Sequence, residues 1–308
     1  MSTVLKTCTK TATLNTGSKI PLLGLGTWRS TKDKGYAAVR KALDVGYRHV
    51  DSAAVCMNEQ VIGKAIRDSG IPRNEIFVSA KLWNTQHRQP GIALEQSLDR
   101  LGLDYVDLYI MHWPLTFKTD RLGSKNYMVI PTNAENKPDV DNDWNHVKTW
   151  ELMQYLPKQG CAKAIGVSNC SIGHLKDIIK SPTNEIIPAT NQIESHPFLP
   201  QDDMLAFCRE NGIIMEAYSP LGSNGAPFLR EPVVREIAKR YHVDTAQLLI
   251  SWGLQRGTVV LPKSTSPERI ASNSQTFELA EEDFIRLHEL AQEGGSKRVH
   301  SPPWFSFQ

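Results

Sequence analysis

Long apolar runs are missing from this chain of 308 residues. No stretch approaches the roughly 18 apolar residues a membrane-crossing helix needs, so no membrane partner is expected. The N-terminal MSTVLKTCTKTATLNTG is polar, and no secretory leader is expected. Excess charge is missing too. The formal net charge is +2 and the longest basic cluster is Lys297-Arg298, whereas a binder of nucleic-acid backbone carries a basic stripe. Nucleic acid is therefore not expected as a partner. Cysteines number five (Cys8, Cys56, Cys161, Cys170, Cys208), an odd count without a CxxC pair, which argues against a disulfide framework and a zinc site. They read as reduced thiols of a cytoplasmic protein, with no metal. Neither GxxxxGK[ST] nor a GxGxxG opening a βαβ unit occurs, which disfavours P-loop and Rossmann folds. GLGTW at 24–28 contains GxG and stops there.

What the chain has is 40% hydrophobic residues, enough for a large core without staples. They gather into eight short runs at 22–28, 47–53, 77–83, 106–113, 164–169, 189–194, 213–220 and 259–264. Most are too apolar to keep one face wet, as in buried parallel strands. Amphipathic segments lie between them. Leu94, Leu98 and Leu101 share one face of a helix over 90–101 that Gly102 ends; Ile172, Leu175 and Ile179 do the same over 171–180. A third helix is expected over 201–212, stopped at Asn211-Gly212. Eight strands alternating with helices predict one (β/α)₈ barrel over residues 1–308. TATLNTGSKIPL predicts an N-terminal β-hairpin closing its bottom.

The even spacing breaks after the fourth and seventh strands. Polar insertions follow at 114–145 and 221–231, on the face that carries the active site in such barrels. The irregular tail 294–308 ends in aromatics, and Trp304 and Phe305 would be exposed apolar surface unless the tail covers that mouth. No spare apolar helix face demands a partner subunit, so a monomer is expected.

Polar residues close the strands. Asp51, Lys81, His112, Ser168-Asn169, Gln192 with Glu194, Tyr218-Ser219 and Lys263-Ser264 all lie at one end, and a barrel brings them to one mouth. Asp51 and Lys81 have opposite charges on neighbouring strands, which predicts a buried ion pair. A lone histidine is more often a core group than a catalyst, but His112 shares a mouth with this pair. In LPKSTSPERIASN (261–273), Ser266-Pro267-Glu268 marks a helix start beside Lys263 and Arg269, a place suited to phosphate.

Several stretches together carry a resemblance: LNTGSKIPLLGLGTW, GYRHVDSA, NEQVIGKAI, AKLWNTQH, LGLDYVDLYIMHWP, AIGVSN, NQIESHP, AYSPLGS and LPKSTSPERI. Over essentially its whole length the chain resembles the aldo-keto reductase family, most of all fungal NADP-dependent aldehyde and glycerol dehydrogenases. The resemblance implies an oxidoreductase that moves a hydride between NADP(H) and a small carbonyl or alcohol substrate. It implies that Trp28, Val55, Trp83, His112, Trp113 and Trp304 wall the substrate pocket. Thr27, Trp28 and Asp51 would border the cofactor. Ser168, Asn169 and Gln192 would hold the nicotinamide carboxamide, with Tyr218 stacked on the ring. Ser219, Leu221 and Ser223 would meet the pyrophosphate, and Lys263, Ser264, Thr265, Arg269 and Asn273 the adenosine 2′-phosphate and adenine. Asp51, Lys81 and His112 match three members of the catalytic tetrad.

The fourth member of that tetrad is a proton-donating tyrosine, and here Cys56 stands in its place. A thiol has a reference pKa of about 8.5 against about 10 for tyrosine, and Lys81 nearby is expected to lower it to a thiolate. It is also shorter than a phenol. Three functions are compatible with these residues: a carbonyl reductase that uses His112 or a water as acid; a redox-neutral isomerase, dehydratase or cyclase with Cys56 as base or nucleophile; or an NADP-binding protein without turnover.

Overall fold

Each of the eight apolar runs forms a strand. They are β1 (Leu25–Gly26), β2 (His49–Asp51), β3 (Phe77–Leu82), β4 (Val106–Met111), β5 (Ala162–Ser168), β6 (Thr190–Glu194), β7 (Ile214–Tyr218) and β8 (Val259–Leu261). The computed structural model describes residues 3–120, 122, 127–223 and 225–307. Positions 121 and 123–126 of the first long loop, 224 of the second and 308 of the tail lie outside the described residues.

The strands pair in chain order, all parallel, in one eight-stranded sheet. The sheet closes on itself where Val260 N donates to Leu22 O (2.7 Å), Gly24 N to Val260 O (3.0 Å) and Gly26 N to Pro262 O (3.0 Å). Closure removes both sheet edges. Every residue of β3 and β4 is buried, as both faces of a barrel wall covered by helices require. The strands at β1, β2 and β8 are shorter than their apolar runs.

The helices follow the sequence signals. α1 (Lys32–Asp44) and α2 (Glu59–Asp68) follow β1 and β2. α3 (Pro90–Leu101) ends at Gly102 in the left-handed region, φ 62°. α4 (His146–Met153) precedes β5, and α5 (Ile172–Lys180) starts on Ser171, whose side chain accepts from His174 N. α6 (Asp202–Glu210) follows β6; α7 (Pro232–Tyr241) and α8 (Thr245–Gln255) lie between β7 and β8. α9 (Pro267–Ser274) starts on Ser266, which accepts from Arg269 N at 3.3 Å, with Pro267 in its first turn. Among the described residues no helix is long and apolar enough to cross a membrane.

The N-terminal hairpin pairs Thr11–Thr13 with Lys19–Pro21, turning at Gly17 (φ 85°). It buries Leu14 and Ile20, and Asn15 Nδ2 reaches the carbonyls of Ile187 and Pro188 just before β6. It therefore sits at the N-terminal ends of the strands. At the other end Glu194, fully buried, accepts from Val299 N (2.7 Å), His300 N (2.9 Å) and His196 Nε2 (3.0 Å). That carboxylate clips the tail across the barrel. Beyond the clip Trp304, Phe305 and Phe307 pack around Trp113, with ring centroids at 4.8, 5.0 and 5.8 Å.

A Cβ at Gly63 would clash with the Leu101 backbone carbonyl, where α2 crosses the end of α3. Gly63→Ala should lower stability in denaturant titration by about 3 kcal/mol, the upper range for overpacking; an unchanged midpoint would contradict the contact. Glu194→Ala leaves two tail N–H groups without their acceptor. Trypsin cleavage after Lys297 and Arg298 should then speed up by roughly tenfold or more, since local opening rather than global unfolding controls it. Equal cleavage rates would show that the aromatic contacts alone hold the tail.

Candidate active site

Asp51 ends β2, and Lys81 lies on β3 two residues past Asp51's partner Ser79. This offset brings Lys81 Nζ to 2.5 Å from Asp51 Oδ1 and 3.0 Å from Ser52 O. Both side chains are buried. The expected ion pair is therefore present, with its donors and acceptors largely satisfied inside the barrel. Gln192 Nε2 adds a contact to Asp51 Oδ1 at 3.2 Å. Thr27 donates to Asp51 O through its backbone (3.1 Å) and its hydroxyl (2.8 Å), tying the loop after β1 to the same point. Asn58 holds that loop from behind through the carbonyls of Thr27 and Ser30.

Cys56 ends the short helical turn Ala54–Cys56 and lines the cleft together with Lys81 and His112. The expectation of a thiolate is overturned. Burial pushes the Cys56 thiol up to about 11, against a smaller downward pull from Lys81. Lys81 already has Asp51 as its partner, so little of its field remains to offset desolvation. At neutral pH Cys56 is a thiol that keeps its proton.

His112 follows β4, its ring edge-on to Trp83 (5.5 Å) and stacked on Trp113 (6.5 Å). Its carbonyl accepts from Asn169 Nδ2 at 2.9 Å, and its Nδ1 is buried without a partner among the described residues. Burial first, then the Lys81 charge, holds its pKa well below the histidine range. The ring is neutral at pH 7.

Around this centre the ends of β5, β6 and β7 form a linked set. Ser168 Oγ donates to Gln192 O (2.7 Å), Asn169 Nδ2 to Ser168 Oγ (3.1 Å), and Tyr218 Oη to Asn169 Oδ1 (2.8 Å). Asn169, Ser219 and Ser223 all take positive φ (59°, 52° and 58°), which turns the chain sharply at the strand ends. The cleft then runs past Ser219, Leu221 and Ser223 to Lys263, Ser264, Thr265, Arg269 and Asn273. Its volume is about 870 Å³. Here the charge balance differs. Burial, then the neighbouring Arg269 and Lys34 charges, holds Lys263 below the ordinary lysine range. None of these three cations makes an ion pair among the described residues. Arg269 Nε instead reaches Ser264 Oγ at 3.3 Å, beside the N-terminus of α9. Mutually repelling cations at a helix start fit a phosphate dianion.

Of the expected substrate residues, Trp28, His112 and Trp113 line the cleft and Val55, Trp83 and Trp304 do not. These three sit one layer back, in an aromatic cluster with Trp113, Phe117 and the tail. Trp83 Nε1 is anchored on Val129 O (2.8 Å), and Trp304 stands edge-on to Trp83 at 6.2 Å, so each fills the space behind the wall. Two further residues were not legible. Lys34, which adds its charge beside Lys263, comes from α1; His300, which lines the cleft flanked by Trp28, Trp113 and Tyr218, comes from the tail. No local pattern marks either. Glu216, under the site on β7, did carry a signal: a glutamate inside an apolar strand.

Comparison with known proteins agrees with this geometry. The model of the aldo/keto reductase family matches residues 22–292. The chain is 54% identical to aldehyde reductase YPR1 of Saccharomyces cerevisiae, covering all of this chain and 99% of that protein. It is 52% identical to glycerol 2-dehydrogenase (NADP(+)) of the same yeast, again over 100% and 99%. Aldose reductase from Schistosoma japonicum superposes with a TM-score of 0.86 at 36% identity, over 94% of each chain. A closed eight-stranded parallel barrel, a Lys–Asp pair with a histidine in its mouth, and these full-length likenesses place the chain in the aldo/keto reductase family.

Proposed function

We propose that this protein is an NADPH-dependent reductase of small aldehydes and ketones whose proton-transfer step is carried by a thiol where the family pattern has a phenol. The observation that carries the reading is one cleft joining the buried Lys81–Asp51 pair to Lys263 and Arg269, cations without an ion pair among the described residues, with the Lys34 charge beside them. The likeness to an aldehyde reductase and an NADP(+)-named dehydrogenase supports it. The five free cysteines are compatible with a cytoplasmic enzyme.

NADPH, when bound, supplies the hydride. Ser168, Asn169 and Gln192 would hold its carboxamide, Tyr218 its ring, Ser219, Leu221 and Ser223 its pyrophosphate. Lys263, Ser264, Thr265, Arg269 and Asn273 would take the adenosine 2′-phosphate end. The substrate carbonyl would lie between Trp28, Trp113, His112 and Cys56. Neutral His112 donates one N–H to the carbonyl oxygen and orients it. The proton for the developing alkoxide comes from the Cys56 thiol through a water in the space a phenol would fill. Lys81 stabilises the thiolate left behind, and Asp51 holds Lys81 in place. A thiol at about 11 is close enough to a phenol in acidity to serve; its short reach slows the step. A role for Cys56 as base or nucleophile loses support, because burial leaves it without its reactive form.

Lys263→Ala with Arg269→Ala should weaken NADPH binding by about tenfold or more, the scale of a lost charge-assisted hydrogen bond, with a much smaller effect on NADH. Tryptophan quenching titrations read both; equal losses would move the 2′-phosphate elsewhere. Cys56→Tyr should raise NADPH-dependent reduction of a nitrobenzaldehyde on the order of 10², the lower end of a general acid's contribution. A variant that folds and binds NADPH but reduces no aldehyde faster would favour an NADP-binding protein without carbonyl turnover.

A further inference from the structure

One buried group near the catalytic pair has no role in the mechanism above. Glu216 lies in the middle of β7 and is fully buried. It pairs in register with Gln192 of β6, and its Oε2 is 3.5 Å from Gln192 Nε2. The same Nε2 is 3.2 Å from Asp51 Oδ1. One amide thus bridges two carboxylates. The other oxygen of Glu216, Oε1, is buried without a hydrogen-bond partner among the described residues.

We propose that Glu216 is a positioning residue that works protonated, acting through Gln192 to keep Asp51 and Lys81 in their productive arrangement. This inference rests on the reductase reading and names a further residue for it. Asp51 and Lys81 balance one another, and the charged groups that face Glu216 are these two, from β2 and β3. Neighbouring β6 offers only Thr190 and Gln192, and β8 places Val259 opposite. An ionised Glu216 would be a second buried carboxylate with no cation of its own. Burial, then the Asp51 charge, raises its carboxyl to about 7.

Below that pH Glu216 is neutral, and Gln192 can give its N–H to Asp51. Above it, the carboxylate competes for that N–H, repels Asp51 and draws the Lys81 ammonium towards itself. Gln192 also sits where the cofactor amide would be held, so orientation there changes as well. Turnover should therefore fall as pH rises through the Glu216 pKa. The two groups placed at the reacting carbonyl titrate elsewhere: Cys56 at about 11 and His112 well below its ordinary range.

The test compares pH profiles of the parent and Glu216→Gln, a neutral isostere of the protonated acid. With NADPH and a nitrobenzaldehyde, parent kcat should drop about tenfold one pH unit above an apparent pKa near 7, as expected when only the protonated form turns over. Glu216→Gln should be flat across the same range. The same falling limb in both proteins overturns the proposal. Carbon-13 NMR of the parent labelled at glutamate Cδ gives a readout without turnover and serves if the variant does not fold. One carboxyl should titrate near 7, with Glu59, the other glutamate raised by burial, assigned through Arg100→Lys. If none titrates above about pH 6, well beyond ordinary carboxylates, the proposal fails. If neither protein consumes NADPH with any aldehyde, the reductase reading fails instead, while the NMR titration still decides the state of Glu216.

Discussion

The contact between Lys81 and Asp51 is the constraint on which the site is built. Two opposite charges inside a barrel are tolerable only together; losing one partner of such a pair typically costs about 3–5 kcal/mol. The pair therefore fixes the offset between the ends of β2 and β3. Around it the polar groups are arranged to complete its hydrogen bonds: Ser52 O for the lysine, the Gln192 amide for the aspartate. Thr27 then ties the first loop to the backbone of Asp51, and Asn58 ties that loop to α2. Much of the mouth is thus positioned through one ion pair.

The cleft is electrostatically uneven along its length, and that unevenness gives it direction. At the closed end positive and negative groups balance, and burial keeps Cys56 and His112 uncharged. At the open end Lys34, Lys263 and Arg269 gather their charges, and none of the three is in an ion pair among the described residues. A long ligand with a neutral reacting end and an anionic far end matches this gradient; one charged at both ends does not. The tail supports the arrangement from outside, since Glu194 fixes its backbone and its aromatics seal the space behind Trp113.

Desolvation is the largest influence at the two groups nearest the reacting position. Lys81 lowers the Cys56 thiol and burial raises it by more; at His112 burial and the Lys81 charge act in the same direction. The expectation of a thiolate weighed the cation and left out its existing partner. A paired cation projects far less field than a free one, and the loss of solvent is not reduced in proportion.

The strand–helix alternation, the hairpin turning at Gly17, the α9 cap on Ser266 and the chemistry of the strand ends were all legible in the sequence. Each depends on neighbours in the chain: the length of an apolar run, a helical period, a cap a few residues from the N–H it satisfies. Barrel closure followed, because eight buried parallel strands have no other way to lose their edges. What the sequence left open depends on neighbours in space. Trp83, Val55 and Trp304 have the composition of pocket walls, yet packing against Phe117 and the tail sets them one layer back. Lys34 joins Lys263 only because α1 and the start of α9 meet. Glu216 was visible as a charge in an apolar strand, but its partner became visible only once β6 and β7 were in register. The sequence by itself determined the fold and the set of reactive groups, since both follow from local patterns. Only the tertiary structure decided which of those groups keep their protons, because that depends on the solvent each loses and the charges that surround it.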